Sequence, residues 1–231
     1  MKKIIVWLLV ITGLFACKTE KKNLMLVQGE IKNLKKGTLY LQKMNDTIAV
    51  TVDSIALDGL NTFTLSAEVE SPELYFLSLD KSPSKQISFF GEEGTIIINT
   101  KLEKFRFGAT INGLTNQQLL DEYNEMKSKF SNKRLDLVKA DFDTKRLGDS
   151  TKIDSIEKLI NSLIKRRYYY TTNFAVNNPD NEVSPYLALT ELFDANIKLL
   201  DTINNSLTPK VKASKYGKKL ETFIAEIKSK E

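Results

Sequence analysis

The sequence of 231 residues contains no histidine and a single cysteine, Cys17. Without histidine, the chain cannot form a Ser-His-Asp triad or a Cys-His nucleophile pair. A His/Cys zinc site, a CxxC redox pair and an internal disulfide are excluded in the same way. P-loop and GxGxxG motifs are absent too. Hydrolysis by carboxylates alone remains possible, but the spacing of the Asp and Glu residues singles out no catalytic pair.

The N-terminus has the composition of a secretory leader. Met1-Lys2-Lys3 is basic, and the run from Ile4 to Phe15 carries no charge. The run is shorter than the roughly 20 apolar residues of a membrane-spanning helix, and it matches the h-region of a signal peptide. Leu14-Phe15-Ala16-Cys17 resembles the bacterial lipobox, in which cleavage before the cysteine accompanies attachment of a diacylglycerol to its sulfur. The resemblance implies a signal peptide over residues 1–16 and lipidation of Cys17.

Residues 17–23 are polar without periodicity, which predicts a flexible tether between the lipid and the fold. A single acyl chain gives only reversible attachment, so the two or three chains of a lipidated cysteine are expected to hold the protein on a bilayer. Lys18 stands where an aspartate would signal retention at the inner membrane. We therefore expect a lipid-anchored envelope protein on the periplasmic or surface face of the outer membrane. An ordinary signal peptide, or a short buried first helix, is the alternative interpretation.

Removal of the leader leaves 215 residues, enough for one large or two modest domains. Lys2 and Lys3 leave with it, so 32 basic residues face 29 acidic ones and the net charge falls from +5 to +3. This small excess is spread along the chain, which predicts no nucleic-acid partner.

Residues 24–114 show the two-residue period of half-buried β-strands. Apolar and polar residues alternate over 62–70 and 105–111, whereas 74–79 and 96–98 are short apolar runs typical of interior strands. Turn residues separate these stretches. Seven or eight short strands at this spacing predict an antiparallel β-sandwich or a partly open barrel.

An ordered set of short motifs runs through this β-rich region. The motifs are Gly29-Glu30-Ile31, Gly37-Thr38-Leu39-Tyr40-Leu41, Val52-Asp53-Ser54, Phe63-Thr64-Leu65, Ser71-Pro72-Glu73-Leu74-Tyr75, Phe89-Phe90-Gly91-Glu92-Glu93-Gly94-Thr95-Ile96 and Ile111-Asn112-Gly113-Leu114-Thr115-Asn116. Together with the lipobox, the set resembles the β-rich domain of unknown function at the N-terminus of Bacteroidota-type lipoproteins. The resemblance covers residues 24 to about 130. In that family the domain usually precedes a thioredoxin-like, thiol-disulfide interchange domain with a WCxxC motif.

This chain lacks such a motif, because its only tryptophan is Trp7 and its only cysteine is Cys17. The resemblance therefore implies the anchor and the β-rich domain without a redox centre. It supplies no catalytic residues, since none are established for the domain.

From residue 115 to residue 231 the hydrophobic period changes to that of helices. Thr115 or Asn116 is predicted to cap the first helix, and Gly148 falls in a break before the second. The stretch 133–150 is more polar than its neighbours, which argues against a long coiled coil. We predict four to six antiparallel helices, and hence an α+β chain with a β-rich domain over 24–114 and a helical domain over 115–231.

Three features suggest sharper functions. The segment 165–170 mixes bases with tyrosines, but on one helix these side chains surround the axis and form no single platform. Asp53-Ser54 coincides with a phase slip in its strand, which predicts a β-bulge rather than a catalytic pair. Glu92-Glu93 lies on a tight turn that offers too few oxygens for a calcium site. We therefore predict no cofactor and no metal.

The sequence thus favours a non-enzymatic, membrane-anchored binding, scaffold or accessory module that contacts an envelope protein or a small ligand. The alternative is an accessory partner of thioredoxin-like proteins without redox activity of its own, or a hydrolase that uses carboxylates alone.

Overall fold

The computed structural model describes residues 23–148 and 150–230. The leader, most of the tether and Cys17 lie outside the described residues, so the lipidation of Cys17 stays a prediction. The described chain is α+β, as predicted, with all its strands ahead of its main helices. The strands are β1 (Leu24–Lys32), β2 (Lys36–Asn45), β3 (Ile48–Asp58), β4 (Thr62–Glu68), β5 (Glu73–Leu79), β6 (Gln86–Gly91), β7 (Gly94–Lys101) and β8 (Thr110–Asn112).

The strands form two four-stranded sheets, with the orders β4-β1-β7-β8 and β3-β2-β5-β6. The sheets are not closed into a barrel, and the two antiparallel-dominated sheets agree with the predicted fold class. Antiparallel pairing dominates, but β1 and β7 pair in parallel, with Met25 opposite Gly94 and Lys32 opposite Lys101. Parallel neighbours need a long crossover. Here the chain between them passes through the second sheet, which the local period could not reveal.

The core of the sandwich follows from the alternation in the sequence. Phe63, Leu65 and Ala67 of β4 are buried, while Thr62 and Thr64 between them are exposed. The inward side chains of both sheets form one apolar cluster between the sheets. The two-residue period therefore predicted the buried face of β4. The same period over 105–111 was wrong, because residues 105–108 form a turn, Phe107 is 91% exposed and only Thr110–Asn112 is a strand.

A glycine marks the closest approach of the two parallel strands. A Cβ atom on Gly29 of β1 would lie 1.7 Å from the carbonyl oxygen of Ile98 on β7. No side chain fits at that distance, so the parallel pairing requires glycine at this position.

Six helices follow the sandwich in the described part of the chain. They are α1 (Thr115–Leu147), α2 (Ser150–Asn177), α3 (Val183–Glu191), α4 (Ile197–Ser206), α5 (Pro209–Lys212) and α6 (Lys215–Lys228). The number agrees with the prediction. The polar stretch 133–150 does not interrupt α1, which has 33 residues and ends at Gly148 in the left-handed conformation. With a rise of 1.5 Å per residue, α1 is about 50 Å long and forms a hairpin with α2.

The helices pack on the sandwich through a shared aromatic cluster. Phe90 of β6 contacts Tyr186 and Tyr216 of the helical region, with ring centroids 5.6 and 6.0 Å apart. Beside it, the buried Glu73 of β5 binds Lys43 of β2 and Lys215 of α6. Apolar contact and buried charge pairing thus join the two regions. Within the described residues, no helix has both the length and the apolar character that crossing a membrane requires.

Candidate functional site

The larger cleft described here is a groove of about 600 Å³ on the α1–α2 hairpin, closed at one end by the α3–α4 connection. We call it the hairpin groove. Its apolar lining comes from three elements: Phe130, Leu135 and Val138 on α1, Leu163 and Ile164 on α2, and Phe193 after α3.

The apolar face of α1 that lines this groove through Leu135 and Val138 continues beyond the groove to Phe142. Leu135, Val138 and Phe142 follow the i, i+3, i+7 spacing of one helical face and are 68%, 46% and 67% exposed. We call these three residues the α1 stripe. Meanwhile the buried side of the same helix segment includes Thr144, which is only 9% exposed. A helix that buries a threonine and exposes a phenylalanine has an apolar face without a partner in this structure.

Basic residues flank the α1 stripe on both sides. At 100° per residue, Arg134 and Lys145 border the stripe on the side of the groove, and Lys139 and Arg146 border it on the other side. Lys145 donates to the Oδ2 atom of Asp141 at 2.8 Å, and this hydrogen bond raises the pKa of the lysine. No carboxylate of residues 23–148 and 150–230 pairs with Arg134, Lys139 or Arg146, and all three side chains are exposed. The stripe therefore carries an excess of unpaired positive charge.

Polar contacts fix the closed end of the groove. The hydroxyl of Tyr168 on α2 donates to Asp194 at 2.7 Å, and burial together with this hydrogen bond raises the pKa of the tyrosine. The carboxylate of Glu191, at the end of α3, binds Lys127 of α1 at 2.6 Å and Arg167 of α2 at 3.6 Å. One carboxylate on α3 thus links α1 and α2 beside the groove.

The basic and aromatic segment 165–170 is divided between different environments, as the sequence predicted. Tyr168 lines the groove, and Tyr169 is 60% exposed. Tyr170 packs against Tyr123, Phe130 and Phe174 in an aromatic cluster between the helices. The segment therefore presents no row of stacked aromatic rings for a nucleic acid.

A second cleft, of about 440 Å³, lies where the sandwich meets the helices. Its lining is strongly acidic. It includes Glu70, Glu92, Glu93 and Glu182, with Lys210 as the one basic residue and Asn23 at the start of the described chain. We call it the junction cleft.

A fully hydrogen-bonded asparagine lies beside the junction cleft. The side-chain nitrogen of Asn116, a residue only 2% exposed, donates to Glu92 at 3.1 Å and to Glu182 at 3.2 Å. Its side-chain oxygen accepts from the amide of Val183 at 2.9 Å. Burial raises the pKa of Glu182. This network ties the β6–β7 turn, the start of α1 and the start of α3 together.

The same contacts correct the predicted cap of α1. The N-cap residue is Leu114, not Thr115 or Asn116, and its side chain makes no capping hydrogen bond. Glu92 caps the helix instead, because its carboxylate accepts from the backbone amide of Asn116 at 2.8 Å. A carboxylate at this position also interacts favourably with the helix dipole. The cap comes from a distant turn, so the local sequence could not show it.

The predicted β-bulge and the carboxylate of Asp53 lie at the junction of β2, β3 and β4. The register between β2 and β3 shifts next to Asp53, which places the predicted bulge at Val52, one residue before the phase slip. The Asp53 carboxylate accepts from the amides of Ser54 and Ser66, both at 2.8 Å, and so links β3 to β4. In the ranges 23–148 and 150–230, no group of three or more Asp, Glu, His or Cys residues is arranged to hold a metal ion.

Sequence reasoning missed the α1 stripe. The i, i+3, i+7 spacing was present in the sequence, but the many charges between its members made 133–150 look like an ordinary polar segment. Phe193 was missed for a different reason. It lies at a helix end, and only the packing of three helices gives it a place in the groove.

Comparison with known proteins gives one match. Residues 25–120 match the family model described as "Domain of unknown function (DUF4369)". No protein with curated annotation and no solved structure matches the chain. The match covers the sandwich and the first residues of α1, and it confirms the resemblance seen in the ordered motifs. The N-terminal β-rich part of this chain is therefore a DUF4369 domain.

Proposed function

We propose that this protein is a lipid-anchored binding module of the cell envelope, which uses the hairpin groove to hold another envelope protein. The observation that carries the proposal is the α1 stripe, where three large apolar side chains are exposed together on one helix. Clustered apolar exposure of this kind is typical of interaction sites. Binding, rather than catalysis, is the proposed activity, because the groove has largely apolar walls and Asp194, the carboxylate in its lining, accepts a hydrogen bond from Tyr168.

The arrangement of the chain suits a tethered module. Asn23, the first described residue, lies at the junction cleft beside Glu92, the residue that caps α1. The α1 stripe lies in the distal half of the same helix, which is about 50 Å long. An anchor at Cys17 would thus hold the chain at one end of α1 and leave the groove far from the attachment point.

The junction cleft is a less suitable centre for hydrolysis. Both oxygens of Glu92 accept hydrogen bonds from Asn116, and Glu182 shares that asparagine. A general acid and base must be free to exchange protons with a substrate. Here the two carboxylates hold three elements of the fold together, which favours a structural role.

The anchor is tested by changing Cys17 to serine in the native host. We expect metabolic labelling with palmitate to disappear and the protein to remain unprocessed or to leave the membrane fraction. Labelling that persists in Cys17→Ser would contradict the lipidation of this residue.

The binding surface is tested by photo-crosslinking in intact cells. A benzoylphenylalanine at Phe142 is expected to give one dominant adduct with an envelope protein. The matched control places the same probe at Leu60, which is 64% exposed, similar to the 67% of Phe142, but lies on the sandwich. Identical adducts from both positions, or none from Phe142, would refute the α1 stripe and the groove beside it as the binding surface. A thioredoxin-like protein as the dominant adduct would identify the role as that of an accessory to thiol-disulfide exchange.

A further inference from the structure

We infer that the occupant of the hairpin groove is an acidic amphipathic helix of a partner protein. The inference rests on the proposed binding function and adds the chemical class of the partner. It follows from the shape of the groove, the spacing of its apolar residues and the sign of the charges around them.

The shape fits a helix. The groove runs along two antiparallel helices and has Phe193 as a wall at its closed end. On α1, the stripe offers contacts at i, i+3 and i+7, the spacing at which helices pack their apolar faces against each other. A third helix laid along α1 and α2 would cover Leu135, Val138 and Phe142 and complete a three-helix arrangement.

The charges select an acidic occupant. Arg134 at the groove edge and Lys139 and Arg146 on the other side of the stripe have no ionic partner in the described parts of the chain. Carboxylates on the flanks of an incoming helix would lie beside these cations. Complementary charge at the rim of an interface contributes mainly to selectivity and to the rate of association. A basic helix of the same shape would meet repulsion from the same three residues.

The same observations disfavour two other occupants. A second copy paired through the same stripe would place its own Arg134, Lys139 and Arg146 near those of the first copy, and like charges repel. An anionic membrane surface would suit the charges, but interfacial helices bury a long convex apolar face. Here Leu135 and Val138 of α1 line a groove together with Leu163 and Ile164 of α2.

The test uses the mature lipoprotein in nanodiscs of phosphatidylcholine, with an environment-sensitive dye on Ser131→Cys. Ser131 lines the groove, and its replacement leaves the α1 stripe intact. The dye reacts at this position alone, because Cys17 is the only other cysteine and its sulfur is expected to carry lipid. The probe is a synthetic amphipathic peptide with leucine on one face and glutamate on the other. Its counterpart carries lysine in place of every glutamate.

We expect the acidic peptide to shift the dye emission and to bind at least about tenfold more tightly than the basic one, with an affinity that falls as salt rises. The variant Arg134→Ala/Lys139→Ala/Arg146→Ala should lose about tenfold in affinity in total. Each exposed charge contributes between almost nothing and about fivefold, so the three together are not expected to reach the maximum. Lys129→Ala is the matched control, since Lys129 is exposed on the opposite side of α1 and should change affinity less than about twofold.

Four results would overturn the inference. They are equal binding of the two peptides, no binding of either, a shift without peptide in nanodiscs of phosphatidylglycerol, and a shift without peptide that grows with the number of protein copies per disc. The last two would assign the groove to lipid and to a second copy, respectively. If any of these occurs while the Phe142 probe still captures one envelope protein in cells, the binding function stands and only the acidic helix is refuted. If the Phe142 probe also captures nothing, both fail.

Discussion

Replacement of Asn116 by alanine should weaken a buried polar contact between the helical region and the sandwich. The side chain makes three hydrogen bonds, to Glu92, to Glu182 and from the amide of Val183. Alanine cannot replace any of them. The substitution therefore leaves a buried carboxylate and a buried backbone amide without their partner, which costs more than the loss of an exposed hydrogen bond.

The magnitude follows from how buried each partner is. Glu92 is half-buried and keeps its hydrogen bond from the backbone amide of Asn116. The loss of its second hydrogen bond, from the side chain of Asn116, therefore adds little to the destabilisation. Glu182 is 2% exposed and the amide of Val183 belongs to a residue that is 0% exposed, so each contributes about 1–3 kcal/mol. Water that enters from the junction cleft offsets part of the cost at Glu182, and alanine favours the helix by a few tenths of a kcal/mol. The expected loss is about 2–4 kcal/mol, a large share of the total stability of a typical domain.

The measurement is urea unfolding at pH 7 of the chain from Lys18 onward, followed by circular dichroism. Asn124→Ala is the matched control, because Asn124 is exposed on the same helix and its side chain makes no hydrogen bond to another described residue. It should change the free energy of unfolding by less than about 0.5 kcal/mol. A loss below about 1 kcal/mol for Asn116→Ala, or equal losses for the two variants, would refute the network as a joint between sandwich and helices.

Two further predictions concern single positions. Glu182→Gln should change the pH dependence of stability. The free energy of unfolding of the variant minus that of the parent should be more favourable to the variant at pH 7 than at pH 4. Burial raises the pKa of Glu182 in the folded state. The parent therefore loses stability as the pH rises above the usual pKa of a glutamate, because ionisation is easier in the unfolded chain. Glutamine does not ionise, so the variant does not have this loss. Urea unfolding at pH 4 and pH 7 checks this, and a free energy of unfolding of the variant minus that of the parent that stays constant or falls from pH 4 to pH 7 would contradict it. Gly29→Ala should lower the free energy of unfolding by about 3 kcal/mol, because its Cβ would collide with the backbone of Ile98. A loss below about 1 kcal/mol would show that β1 and β7 separate easily.

The local periods of the sequence were sufficient for much of the fold. Alternation over 62–70 predicted β4 and its buried face, and the phase slip at Asp53 located the bulge to within one residue. The end of α1 at Gly148 followed from the conformational freedom of glycine. These features depend on neighbouring residues, so a single sequence contains the necessary information.

Contacts between residues far apart in the chain could not be predicted from local sequence periods. The parallel pairing of β1 with β7 joins residues far apart in the chain, and no short pattern encodes which strands become neighbours. The capping of α1 by Glu92 was missed for the same reason. Thr115 and Asn116 had the right chemistry for a cap, but Asn116 uses its side chain to join Glu92 and Glu182 instead.

The sequence by itself determined what this protein lacks and what kind of fold it builds. A chain without histidine and with one cysteine excludes several catalytic and metal-binding systems, because those systems need particular side chains regardless of the fold. Only the tertiary structure decided which surface is available for binding. Leu135, Val138 and Phe142 are three apolar residues in a charged segment, and they become a continuous exposed face only because α1 packs on α2 with its other side. Composition sets the chemistry that is available, whereas packing determines which apolar side chains remain in contact with water.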